Sequence, residues 1–140
     1  MLNNPNKMKK LLLIVLPLFI VVLISSCSKD PGVGGNGSIH GKVYAKYYNK
    51  YFTVFLGEGY AADKEVYIIY GDDLDYGDKV NTNYDGSYEF KYLRKGKYKV
   101  VTYSKDSTLT VPSGTIAVIQ EGEISSNKES VELPDLKIFD

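Results

Sequence analysis

Thr82-Asn83-Tyr84-Asp85-Gly86-Ser87-Tyr88-Glu89-Phe90, followed by Leu93 and by Gly96-Lys97-Tyr98-Lys99-Val100, decides the fold of this 140-residue chain. Tyr88 and Phe90 alternate with polar Ser87 and Glu89, the period-two pattern of a strand with one buried face. An Asp-Gly step between such runs is a hairpin signal, because both residues tolerate positive φ. The expectation is a hairpin joining residues 79–84 to 87–91. Leu93 then plugs one end of the core, and Gly96 permits the bend into Tyr98 and Val100.

Outward from this stretch the chain reads as all-β. After residue 38 no segment shows the apolar period of an amphipathic helix. Short runs rich in tyrosine, valine, isoleucine and threonine suit a pleated, half-buried surface. Strands are expected over 38–46, 51–56, 65–70, 79–84, 87–91, 97–104, 114–120 and 130–138. Pro112 limits residues 109–111 to a short edge strand. Strands at regular spacing with turn signals between them suggest a sandwich or barrel. Within 65–70, Val66, Ile68 and Tyr70 take the core face.

Gly41-Lys42-Val43, Val66-Tyr67-Ile68 and the segment 82–100, of the form T-x-x-D-G-x-Y-x-F-x-x-L-x-x-G-x-Y-x-V, together resemble the carboxypeptidase regulatory-like domain. The resemblance covers roughly residues 39–138. It implies an all-β, seven-stranded Greek-key β-sandwich of transthyretin-like type, placed at residues 39–140. Residues 47–63 are longer than the usual link between the first two strands. The resemblance implies a fold and no activity. Relatives serve as folding or spacer modules, adhesive units, or accessory domains of outer-membrane transport proteins.

The N-terminus carries a second signal. Lys7, Lys9 and Lys10 precede an almost wholly apolar run over 11–24, then Ser25-Ser26-Cys27. This is the layout of a secretory signal peptide, and fourteen apolar residues fall short of the roughly 20 needed to span a bilayer. Ile24-Ser25-Ser26-Cys27 resembles a bacterial lipobox, which implies a signal peptide over 1–26 and a lipidated, palmitate-bearing Cys27. Cys27 is the one cysteine of the chain, so an internal disulfide is excluded. Ser28 in place of aspartate implies the outer membrane. Ser28-Lys29-Asp30 resembles a short surface-export signal, which implies cell-surface exposure. Residues 27–38 read as the lipidated cysteine and a flexible glycine-rich tether.

Loss of the leader removes three of the 17 basic residues and leaves 14 against 17 acidic ones. A mildly acidic chain lacks the basic stripe that nucleic acid requires. The expected attachment is to the membrane through acyl chains.

The failing alternation marks the candidate binding face. With Val66, Ile68, Tyr98 and Val100 inward, the other face of those strands carries Tyr67, Ile69, Val101 and Tyr103. A sheet with one wet face alternates apolar with polar, and exposed apolar patches mark contact sites. Either these four form a partner-binding patch, or the 47–60 insertion covers them. Asp72, Asp73, Asp75 and Asp78 crowd one loop and are candidate calcium ligands, although their spacing departs from an EF-hand. His40, the one histidine, reads as a solvated strand residue, and no catalytic residue and no cofactor is expected. The function expected is a non-catalytic, lipid-anchored outer-membrane or cell-surface module for protein binding or assembly. The alternative is a glycan-binding or calcium-dependent ligand-binding lipoprotein.

Overall fold

The computed structural model describes residues 30–140. The leader and Cys27 lie outside the described residues. Nine strands follow in order: β1 (Val33–Tyr48), β2 (Phe55–Tyr60), β3 (Glu65–Tyr70), β4 (Asp78–Asn81), β5 (Ser87–Leu93), β6 (Gly96–Lys105), β7 (Thr115–Ile124), β8 (Ser130–Glu132) and β9 (Leu136–Phe139). They form two sheets of a β-sandwich. One is ordered β4-β3-β6-β7, and the other is built around β1, with β2, β5, β8 and β9 all paired to it.

Both sheets bury one face, and the sequence alternation sets which. Ile39, Val43 and Ala45 of β1 meet Val66 and Ile68 of β3, Tyr88 and Phe90 of β5, and Tyr98 and Val100 of β6 in one core. Each fully buried large apolar side chain contributes about 1.5–3 kcal/mol. Leu93 and Leu136 are buried with them. Gly41 makes room for Tyr88: a Cβ there would lie 2.6 Å from the Tyr88 hydroxyl.

The Asp-Gly turn departs from the expected hairpin. Gly86, at φ 75°, donates its N–H to Asn83 O, and Asp85 Oδ1 accepts from both the N–H and the hydroxyl of Ser87. The turn is as tight as the sequence implies, but β4 pairs with β3 and β5 with β1. It therefore carries the chain from one sheet to the other. Gly86 is gripped from outside the turn, its carbonyl accepting from the Val43 N–H.

The glycine-rich segment also departs from its expectation as a tether. β1 begins at Val33, and both Val33 and Gly37 pair with Leu93 across a bulge. The glycines are there for contact rather than freedom. A Cβ on Gly35 would lie 2.1 Å from Leu93 O, and one on Gly37 2.9 Å from Ile124 Cδ1. Gly32 N–H donates to the Tyr98 hydroxyl, and Arg94 N–H donates to Gly32 O.

Nine strands stand where the resemblance implies seven. The strand expected over 51–56 forms later in the chain, as β2, and pairs antiparallel with the end of β1 through a bulge at Tyr47/Tyr48. The expected last strand is split into β8 and β9, both parallel to β1. Pro134 lies in the break, where a residue without an N–H cannot serve a ladder. Residues 109–111 are loop rather than strand. The buried Asp106 carboxylate organises them, accepting from the Thr108 N–H and hydroxyl and from the N–H groups of Thr110 and Val111.

Candidate functional site

Directly opposed residues of antiparallel strands share a face. Tyr67 opposes Lys79 and Val101, Val101 opposes Ile119, and Tyr103 opposes Ala117. Tyr67, Val101 and Ile119 thus form one row across β3, β6 and β7 on the outward face of the four-stranded sheet. Ile69 lies one row along, opposite Lys99. The four residues expected to share a face do so.

They do not form the expected open patch. Val101 is only 2% exposed, and Tyr67 and Ile69 are half-buried. Tyr103 alone of the four is exposed, at 45%. The cover is not the 47–60 segment, which lies in the opposite sheet. It is Tyr76, from the loop between β3 and β4. Its ring stacks on Tyr67 at 4.4 Å, and its hydroxyl is hydrogen bonded to that of Tyr103. Tyr67 meets Tyr103 edge-on at 6.1 Å. Val101 lies beside this three-ring cluster.

The loop is built to place Tyr76. Gly71, at φ 58°, donates its N–H to Lys97 O, and Asp73 N–H donates to Tyr70 O. Gly77 N–H returns to Ile68 O. A Cβ on Gly77 would lie 2.2 Å from the Tyr70 ring, so glycine lets the chain pass close over that ring. Tyr76 is thereby delivered to the outer face.

Charge frames the cluster on one side. Lys79 Nζ bonds Glu65 Oε1 at 2.6 Å, and the Tyr67 hydroxyl donates to Glu65 Oε2 at 2.7 Å. The bond from Lys79, with the Tyr67 bond second, holds the Glu65 carboxyl below its ordinary range. The Tyr76 phenol is pushed up to about 12, first by its hydrogen bond to Tyr103 and then by desolvation. On the far side lie Ala117 and Ile119 of β7, Ile119 half in solvent.

The aspartates do not gather as expected. Among the described residues no group of three or more His, Cys, Asp or Glu side chains stands close enough to hold a metal ion. Asp72 leans toward Lys99 at 3.9 Å, and Asp78 Oδ1 accepts from the Lys79 N–H. His40 lies in the other sheet, opposite Glu89 of β5 and Glu132 of β8.

Sequence reasoning missed Tyr76 and Ile119. The signal for Ile119 is the run Ile116-Ala117-Val118-Ile119, which fails to alternate as residues 67–70 do. Tyr76 is the lone ring among loop aspartates, and nothing local says that it folds back.

No protein-family model matches the chain, and no curated protein matches it. A solved structure from Pseudomonas aeruginosa, that of a proposed carbohydrate-binding protein, is similar over 79% of this chain and 92% of its own length. The TM-score is 0.45 and the identity 14%.

Proposed function

We propose that the chain is a non-catalytic, lipid-anchored outer-membrane module that docks a protein partner on the outward face of the β4-β3-β6-β7 sheet. One observation carries this reading. Tyr76, Tyr103 and Ile119 stand together on that face with 44%, 45% and 50% of their surfaces in solvent. Tyrosine offers a large apolar area with a polar tip, and tyrosines are enriched at interfaces. Tyr76 is already pinned between Tyr67 and Tyr103, so binding would order it at little further entropic cost.

The lipobox-like sequence supplies the anchor in this reading. From Cys27 to Pro31 the chain reaches at most about 14 Å. Because Gly32 and the residues after it are held against Tyr98, Leu93 and Arg94, the domain would stand close to the bilayer. The core positions of Tyr88, Phe90 and Leu93 support the carboxypeptidase regulatory-like relationship that we include in the proposal. Glycan binding is the second reading, favoured by exposed tyrosine rings beside the Glu65–Lys79 pair.

The test is a triple variant of the full lipoprotein, Tyr76→Ser/Tyr103→Ser/Ile119→Ser, cross-linked on intact cells beside the unsubstituted chain. Loss of a co-purifying protein with the circular-dichroism spectrum retained supports protein docking. A partner recovered equally from both chains overturns it. Loss of binding to an array of surface glycans, with no protein partner for either chain, selects the second reading.

A further inference from the structure

The border strands of the two sheets differ in how they are protected. β4 has four residues and carries Lys79. β8 and β9 have three and four. β2 is broken by Gly57 at φ 149° and by the register shift at its pairing with β1. β5 carries Glu89 and Lys91 and is bent by Tyr92 at φ 59°. Short, charged or bulged edges of this kind keep sheets from pairing with one another.

β7 has fewer of these features, its charges being Glu121 and Glu123 near one end. It runs ten residues in unbroken register with β6, from Thr115 opposite Lys105 to Ile124 opposite Gly96. It contains no lysine, arginine or proline, and no residue at positive φ. Ile116 and Ile119 on it are 40% and 50% exposed.

The direction of its free backbone groups follows from the ladder. Lys97 O accepts from Gly71 N–H, so the backbone of Lys97 faces the β3 side and that of Tyr98 faces β7. Along antiparallel strands this direction alternates. Gly122, opposite Tyr98, therefore bonds to β6. Thr115, Ala117, Ile119, Glu121 and Glu123 present their N–H and C=O groups outward, and at Thr115 the Ser113 hydroxyl already bonds both.

We propose that β7 pairs antiparallel with β7 of a second copy, about a two-fold axis at Ile119. Ile119 then opposes its own copy, Ala117 opposes Glu121, and Thr115 opposes Glu123. Ala117, Ile119 and Glu121 find partners for their free backbone groups, Thr115 meets Glu123 by exchanging its bonds to Ser113, and no like charges oppose. An axis at Glu121 would instead set that carboxylate on its own copy, which is unfavourable. Such an interface uses the same patch on both copies and closes on itself.

The pairing joins the two outward faces. The row Tyr67–Val101–Ile119 runs on into the same row of the second copy, across one eight-stranded sheet. The inference rests on the free edge and holds whether or not a partner docks on the face.

Cysteine placement in the full chain, in cells and in detergent, tests the register. Under mild oxidation Ile119→Cys gives a covalent dimer, because residues paired across an antiparallel ladder lie within disulfide reach. Thr115→Cys alone gives none, since its copy is eight residues away, about 27 Å. A Thr115→Cys chain mixed with a Glu123→Cys chain cross-links again. The unsubstituted chain, with Cys27 alone, is the blank. Capture at Ile119, or in the Thr115/Glu123 mixture, with none at Thr115 alone supports the pairing. Equal capture at Ile119 and Thr115, or none at Ile119 and none in the mixture, overturns it.

Discussion

Tyr76 stacks on Tyr67 with ring centroids 4.4 Å apart and planes inclined by 29°. The contact joins a loop to the outer face of a sheet that would otherwise leave Val101 open. Tyr76→Ala removes the stack and the hydrogen bond to Tyr103 together. We expect a loss of about 1 kcal/mol, the scale of such a pair beyond its buried area. Urea denaturation measures it. Hydrogen exchange should quicken over residues 71–77 while the core strands keep their protection.

Alkali should act on the same residue. Tyr76 has its phenol pushed up to about 12 by the bond to Tyr103 and by desolvation, and an unfolded tyrosine titrates near 10. A group whose folded value is raised lends stability that is complete below the unfolded value. That stability is lost as pH rises from about 10 to about 12. Melting curves across this range should fall less steeply for Tyr76→Phe than for the unsubstituted chain. Equal slopes would contradict the assignment.

Acid should act on Asp106. Hydrogen bonds from the Thr108 hydroxyl first, then from the Val111 N–H and the other loop amides, hold its carboxyl well below the usual range. A depressed folded value means stability present above the unfolded value, near 4, and lost progressively as pH falls below it. Asp106→Asn should lower the melting temperature at neutral pH and flatten the fall in stability below pH 4. The readout is calorimetry on both chains from pH 2 to 7.

Gly35→Ala tests the start of β1. The added Cβ would fall 2.1 Å from Leu93 O, a backbone atom that cannot swing away. Overpacking of this kind costs about 1–3 kcal/mol. Limited proteolysis should then cut within residues 33–37, which the unsubstituted chain protects. Unchanged protection in the variant would contradict the close approach of Gly35 to Leu93, and equal cleavage of both chains would mean that the segment is free of the sheet.

Much of the fold is legible because its signals are local. Residues 65–70 read as a strand and form β3 without a shift, and Tyr88 and Phe90 go inward as their alternation implies. Sheet membership is not local. Asp85-Gly86 makes its turn from its own bonds, but β4 goes to β3 and β5 to β1 through contacts distant in sequence. The glycines at 34, 35 and 37 mislead for a similar reason. Composition cannot separate a glycine that flexes from one that lets Leu93 or Arg94 approach.

The candidate face was half legible for the same cause. Failed alternation in β3 and β6 reveals that Tyr67, Val101 and Tyr103 share a side, because period two is a property of each strand. What lies over them depends on how the chain leaves β3. Gly77 against Tyr70, together with the return bond to Ile68, turns Tyr76 back onto the sheet and leaves three tyrosines and Ile119 where four residues were expected.

Photo-cross-linking from single positions tests the proposed docking face most directly. A photoreactive phenylalanine analogue is placed at Tyr103 in the full chain on living cells, and at Tyr84, which is fully exposed in the 83–86 turn. The account predicts a discrete protein adduct from Tyr103 and none from Tyr84. The same adducts from both positions, or an adduct from Tyr84 alone, would contradict it.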